Sequence, residues 1–263
     1  MRTLKLTIQY DGTDFVGWQR QAHGTSIQGL LEDALARIED RPVAVAGAGR
    51  TDAGVHAAGQ VASIVLAHPL ATDALLRALN AMLPAAIRVI QVQEAPSGFH
   101  ARFHARAKTY RYRILDSPIG SPFERHYAWH VPHPLDLAAM QRVIRVLPGV
   151  HDFAAFQAAG GTAATTVRTI FGATVGRVPS AHDDEAGVIV FEITGDGFLR
   201  HMVRGLAGTI VEVGSGRRPI DTLATLLETA PRTAIGPTAP ALGLCLMRVD
   251  YPAGSLEAHP KSL

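Results

Sequence analysis

Leu4, Leu6, Ile8 and Tyr10 alternate with Lys5, Thr7 and Gln9. A period of two predicts a strand with one buried face. The segment Thr25-Ser26-Ile27-Gln28 has the form of a capping box. After it, Ile27, Leu30, Leu31, Ala34, Leu35 and Ile38 recur at helical spacing. Short apolar runs at 43–46 and 61–66 read as strands. Leu75, Leu76, Leu79 and Met82 mark a second helix that Pro84 should stop, and residues 87–92 read as another strand. The order is strand, helix, strand, strand, helix, strand, which is the ferredoxin-like arrangement.

The same pattern returns with insertions. Residues 108–115 read as a strand, and Leu137, Met140, Ile144 and Leu147 as a helix closed near Pro148-Gly149. Residues 167–175 and 188–194 read as a strand pair. The polar stretch 179–185 is expected to be a turn or loop between them. Leu199, Met202, Val203, Leu206 and Ile210 predict a helix, Leu223, Leu226 and Leu227 a shorter one, and residues 244–249 a final strand. The expected class is therefore α+β: two ferredoxin-like halves with mainly antiparallel sheets flanking a central cleft. The expected domains are 1–103 and 104–263.

Composition narrows the function only a little. Of 263 residues, 47% are hydrophobic and 18% charged, ordinary for a water-soluble globular chain. No apolar run approaches the roughly 20 residues needed to span a bilayer. The N-terminus enters the first strand without the apolar stretch of a signal peptide. Cys245 is the only cysteine, so there is neither a disulfide framework nor a thiolate zinc cluster, and a reducing cytoplasm is the simplest compartment. The net charge of +2 does not by itself argue for nucleic acid. The cations are more telling: Lys5, Lys108 and Lys261 are the only lysines, so arginine supplies nearly all the positive charge. Arginine grips phosphate in a fork and stacks on bases, although a GC-rich genome produces the same bias.

Four stretches carry candidate chemistry. Gly47-Ala48-Gly49-Arg50-Thr51-Asp52-Ala53-Gly54-Val55-His56-Ala57 lies between two predicted strands. Its glycines would let the backbone take positive φ and approach a ligand, and Arg50 would keep Asp52 ionised. The same loop would equally serve as a tight turn whose Asp52 only caps backbone N–H groups. In residues 99–113, an extended backbone would place Arg102, His104, Arg106, Lys108, Tyr110 and Tyr112 on one side. Cations interleaved with aromatics suit phosphates and splayed bases, or else a solvated strand whose tyrosines finish a core. Residues 195–204 should open a helix with Arg200 and Arg204 one turn apart, an unfavourable place for cations unless they pair with a carboxylate or phosphate. Residues 10–21 form a loop with an exposed-looking Trp18.

Taken together, Tyr10-Asp11-Gly12, Gly17-Trp18-Gln19-Arg20-Gln21, Gly49-Arg50-Thr51-Asp52-Ala53-Gly54-Val55-His56, Phe99-His100-Ala101-Arg102-Phe103, Tyr110-Arg111-Tyr112, Phe198 and His201-Met202-Val203-Arg204 resemble the TruA family of tRNA pseudouridine synthases. The motifs occur in that family's order, and Gly243-Leu244 also fits. The resemblance implies the two-domain pseudouridine synthase fold, a homodimer, no cofactor and no metal, and action on uridines 38, 39 and 40 of the tRNA anticodon stem-loop. It implies that Asp52 is the catalytic aspartate, that Tyr110 stacks on the target base, that Arg50 is associated with base flipping, and that Arg204 pairs with the aspartate. Asp196 and Gly205 depart from the family pattern, which commonly has asparagine there. Two other classes compete. A non-catalytic RNA-binding module would share the strand order, but no RNP1 signature is present. A metal-dependent hydrolase would need paired histidine ligands, and the 12 histidines are scattered.

Overall fold

The structure is a computed structural model that describes residues 1–158, 160, 164–180, 183–228 and 235–252. In chain order the elements are β1 (Arg2–Tyr10), α1 (Ile27–Glu39), β2 (Ala46–Gly47), β3 (His56–Leu66), α2 (Thr72–Met82), β4 (Ile87–Ala95), β5 (Ala107–Leu115), β6 (Trp129–His130), α3 (Leu137–Val143), β7 (Gly149–Asp152), β8 (Val167–Ser180), β9 (Asp183–Gly195), α4 (Met202–Gly214), α5 (Thr222–Glu228) and β10 (Leu244–Asp250). The chain forms two compact units, Met1–Ala107 together with the chain from Leu246, and Lys108–Cys245. The division thus differs from the one expected at residue 103, because the last strand returns to the first unit.

In the first unit β1 lies between β3 and β4 and is antiparallel to both. The alternation of β1 puts Leu4, Leu6 and Ile8 on its inner face, all fully buried. Ile27, Leu31 and Leu35 of α1 and Leu75 and Leu79 of α2 are buried as completely, each contributing about 1.5–3 kcal/mol. Helix α1 starts where Ser26 caps it by accepting from Gly29 N–H at 3.2 Å. The capping-box expectation is corrected on one point. With Ser26 as cap, the third helical residue is Gly29, so Gln28 cannot reach back to close a box. Its amide instead donates to the Val45 carbonyl at 3.0 Å. Helix α2 ends at Met82 because Pro84 forces Leu83 into an extended conformation. Of the expected strand over 43–46 only Ala46 pairs in the sheet, opposite Ser63, and the pairing continues to Gly47 opposite Ala62.

In the second unit the strand order is β5-β9-β8-β7, antiparallel throughout, with β6 added in parallel to the end of β5. The strands β5, β9 and β8 occupy the places that the first, third and second strands hold in a ferredoxin-like sheet. β8 and β9 are longer than the alternation predicts, pairing as far as Ser180 opposite Asp183. Most of the stretch expected as a loop is therefore strand, while Ala181 and His182 lie outside the described residues. Helix α4 is buried on nearly all sides, with Met202, Leu206, Ala207 and Ile210 fully inaccessible. A helix buried on nearly every face is a core helix rather than a surface one, here with Arg204 and Glu212 as its charged positions. Among the described residues no helix is long and apolar enough to cross a membrane.

Candidate active site

The strand β2 leads directly into the loop that carries Asp52. Asp52 is half-buried and Arg50 is exposed. Val55 N–H donates to the Asp52 carbonyl at 3.2 Å, closing a turn immediately after the carboxylate. Of the three loop glycines only Gly54 adopts positive φ, at 76°. Gly47 is needed for another reason, since a Cβ there would strike the indole of Trp18. The flexibility expected of the whole glycine set therefore reduces to one residue.

The segment after β1 packs against this loop and fixes it. Trp18 is 2% exposed, not exposed as its sequence context suggests. Its N–H donates to the Thr51 carbonyl at 3.0 Å, while its own carbonyl accepts from Gln28 N–H at 2.9 Å. Gly17 takes φ +104° with its α carbon directly against the Thr51–Ala53 backbone. Gly12 N–H donates to His56 Nδ1 at 3.0 Å. Asp11 Oδ1 lies 3.2 Å from the same nitrogen. Below the loop, Gln60 Nε2 donates to the Gly49 carbonyl at 2.9 Å and to Tyr10 Oη at 3.3 Å. Tyr10 Oη is in turn 2.8 Å from Thr51 Oγ1. Tyr10 and Gln60 are not among the site residues that the sequence picks out. The signal was present in β3, where Gln60 interrupts an apolar run and a buried amide needs partners.

The second unit holds the other candidate residues. Tyr110 lies on β5 opposite Ile193 of β9. It is 7% exposed, and its ring meets Phe198 edge-on at 5.2 Å. Tyr112, two residues on, is fully buried and donates to the Pro240 carbonyl at 2.8 Å. Burial raises its phenol above the ordinary tyrosine range despite the opposing charge of Arg204. Tyr112 is thus a core residue and no stacking platform. Residues 100–106 also depart from the expected extended strand: they form turns, and regular pairing begins at Ala107. His100 Nδ1 accepts from Arg102 N–H at 3.1 Å, and His100 N–H donates to His104 Nδ1 at 3.2 Å. These two histidines are therefore adjacent, contrary to the expectation for a strand. Among the described residues no group of three His, Cys, Asp or Glu is placed to hold a metal ion.

Arg204 lies in the first turn of α4, where Nε donates to the Ala239 carbonyl at 2.7 Å. Ala239 N–H returns a bond to the Arg204 carbonyl at 3.1 Å. The helix begins later than its periodicity suggests, because His201 at its N-cap takes left-handed φ 63°. Arg200 is consequently outside the helix and does not share a helical face with Arg204. Asp196 Oδ1 accepts from Thr169 N–H at 3.1 Å, so this departure from the family pattern closes the β8–β9 ladder. Gly205 is buried close to Phe156, leaving little room for a larger side chain.

Comparison with known proteins bears on both units. The family model described as tRNA pseudouridine synthase matches residues 6–104 and 143–252. A tRNA pseudouridine synthase A of Syntrophotalea carbinolica is 47% identical over 251 residues, covering 95% of this chain and 97% of that one. Its counterpart in Pelobacter propionicus is 45% identical over 95% of this chain and 100% of its own length. One in Myxococcus xanthus is 44% identical over 97% of this chain and 94% of its own. Among solved structures, a Cbf5-Nop10-Gar1 complex matches at a TM-score of 0.37 and 11% identity, over 92% of this chain and 48% of that one.

Proposed function

The chain belongs to the tRNA pseudouridine synthase family, and from that premise we propose that it isomerises uridine to pseudouridine in tRNA with Asp52 as the catalytic carboxylate. The observation that carries the assignment is the way the first unit presents Asp52. A single half-buried carboxylate stands on a loop held by backbone bonds from Trp18 and side-chain bonds from Tyr10 and Gln60.

The reaction breaks the N1–C1′ bond, turns the base and joins C5 to C1′. The hydrogen on C5 leaves as a proton and N1 gains one, so no electrons are exchanged with a partner and no group is transferred. One carboxylate serves this chemistry, either by attacking as nucleophile or by stabilising positive charge at C1′ and accepting the C5 proton. A base in a helical stem must first leave its stack, at a few kcal/mol. Arg50, exposed on the same loop as Asp52, is suited to occupy the space the base vacates. We assign Tyr110 to stacking on the extruded uracil and Arg204 to pairing with the Asp52 carboxylate. The substrate sites are uridines 38, 39 and 40 of the anticodon stem-loop, as in the family it resembles, and the working form is a homodimer in the cytoplasm.

Asp52→Asn keeps the size of the side chain and removes its charge. It should abolish tritium release from tRNA labelled at uridine C5 while leaving tRNA affinity within about threefold, because affinity is spread over many phosphate contacts. Near-normal tritium release by this variant would overturn the assignment.

A further inference from the structure

We propose that Tyr10 and Gln60 are positioning residues for Asp52, acting through a hydrogen-bond relay that ends on Thr51. The inference rests on the reading of Asp52 as the catalytic carboxylate and adds the means by which its loop is aimed.

Gln60 is fully buried on β3, beside Val61 and Ala62. A buried amide has to satisfy two donors and an acceptor. Its Oε1 accepts from Val61 N–H at 3.2 Å, and its Nε2 donates to the Gly49 carbonyl and to Tyr10 Oη. The amide orientation follows from these partners, since a flipped amide would set two oxygens together at Gly49. Tyr10 Oη, which accepts from Gln60, also shares a hydrogen bond with Thr51 Oγ1 at 2.8 Å, in which either hydroxyl can supply the hydrogen. The relay joins Gln60, Tyr10 and Thr51 in one chain of hydrogen bonds, and each bond polarises its neighbour.

The consequence is local. Gly49 is held at its carbonyl by Gln60, and Thr51 is held at its hydroxyl by Tyr10 and at its carbonyl by Trp18 N–H. Thr51 is buried, 7% exposed. Asp52 follows immediately, and little but its own side-chain rotation is left to choose. Strands β1 and β3 are already joined by an antiparallel ladder from Arg2 to Tyr10, with one register shift between Ile8 and Tyr10. The relay adds little to that ladder, and its particular effect is on the loop.

The test is a double-mutant cycle on the full chain, read by single-turnover tritium release from C5-labelled tRNA, with tRNA affinity and thermal melting measured alongside. Tyr10→Phe and Thr51→Val, each close to isosteric, should both slow single turnover by roughly 10- to 100-fold, the size expected when a catalytic group is displaced by up to about 1 Å. Affinity for tRNA should stay within about twofold. Because the two substitutions break the same bond, the double variant should be no more than about threefold slower than the slower single variant. Thr51→Ser, which restores the hydroxyl, should recover a rate within about threefold of the parent. Unchanged turnover, a loss that follows affinity or folded fraction, or multiplicative losses in the double variant would each overturn the proposal. If Tyr10→Phe fails to fold, the comparison of Thr51→Val with Thr51→Ser decides. Asp52→Asn measured in parallel separates the two readings. An active Asp52→Asn removes the premise, whereas an inactive one beside a full-rate Tyr10→Phe removes only the relay.

Discussion

Gly17 lies directly against the backbone of Thr51 and Asp52, and Gly17→Ala is a sharp perturbation of that contact. A Cβ there would lie 2.5 Å from the Thr51 carbonyl oxygen and 3.0 Å from the Asp52 carbonyl carbon. Ordinary contact begins near 3.4 Å, so one of the two backbones has to yield by about 0.9 Å. Both are hydrogen-bonded: Trp18 N–H to Thr51, and Gly54 N–H to the Phe15 carbonyl at 3.4 Å. Displacement of a reacting group by about 1 Å costs on the order of 100-fold in rate. The left-handed φ of +104° adds strain of about 1–2 kcal/mol. For a chain of this size that lowers Tm by about 2–8 °C. Gly98→Ala is the control. Gly98 also has positive φ, +85°, but nothing lies within 4 Å of the position its Cβ would take. It should lose similar stability and keep its turnover. Single-turnover tritium release and calorimetry on both variants check this. Equal turnover in Gly17→Ala and Gly98→Ala would refute the argument that the Gly17 contact sets the loop position.

Tyr110→Phe keeps the ring against Phe198 and should retain most turnover, whereas Tyr110→Ala should lose about 1–3 kcal/mol, roughly 5- to 150-fold. A Phe variant as inactive as the Ala variant would show that the hydroxyl acts in proton transfer. Glu39 accepts from Ala67 N–H at 2.7 Å and His68 N–H at 3.0 Å. The Arg41 hydrogen bond first, then these two N–H groups, hold its carboxyl down from 4.5 to about 2. A depressed folded-state pKa stabilises above the unfolded value and fades as pH falls through the folded one. Glu39→Gln should therefore melt below the parent at about pH 6 and approach it near pH 2, and a constant gap in acid melts would count against the pairing. Light scattering should give a free mass twice that of one chain, and a monomer fully active at nanomolar concentration would exclude the homodimer.

The elements were legible wherever a local rule governed them. Period two in β1, period 3.6 in α1 and Pro84 at the end of α2 are decisions taken within a few residues. Asp52 stands out as a candidate because its glycine-rich, charged loop is unusual in composition. What stayed hidden was set by contacts far away in sequence. Trp18 is buried because Gly47 leaves room for its indole, which its own neighbours do not reveal. The Phe99–Arg106 stretch has an alternation that favours a strand, but Ala101 N–H bonds to Ser63 Oγ at 3.0 Å and its carbonyl accepts from Tyr251 Oη at 2.7 Å, and local turns win. Arg200 and Arg204 fit one helix by spacing, but the left-handed His201 starts the helix after Arg200. The last strand looked like the end of the second domain because sequence order was the only guide.

The return of that last strand has a consequence for biosynthesis. The chain from Leu246 completes the first unit, bonding Asp250 O to Arg106 N–H at 2.8 Å and setting Tyr251 against Phe99 at 5.2 Å. Those residues leave the ribosome only after the whole of the second unit. At about 5–20 residues per second, the delay is roughly 7–28 s. Through that interval the nascent first unit carries an incomplete sheet, with the edge beside Gly59 lacking the strand it will pair with. A bare edge of this kind invites pairing with another chain. The second unit, continuous in sequence, can close in the meantime. Synthesis of the strand from Leu246 is thus the event that completes the unit carrying Asp52, and a ribosome stalled shortly before Leu246 would hold out a chain with its Asp52 loop made but its sheet unfinished.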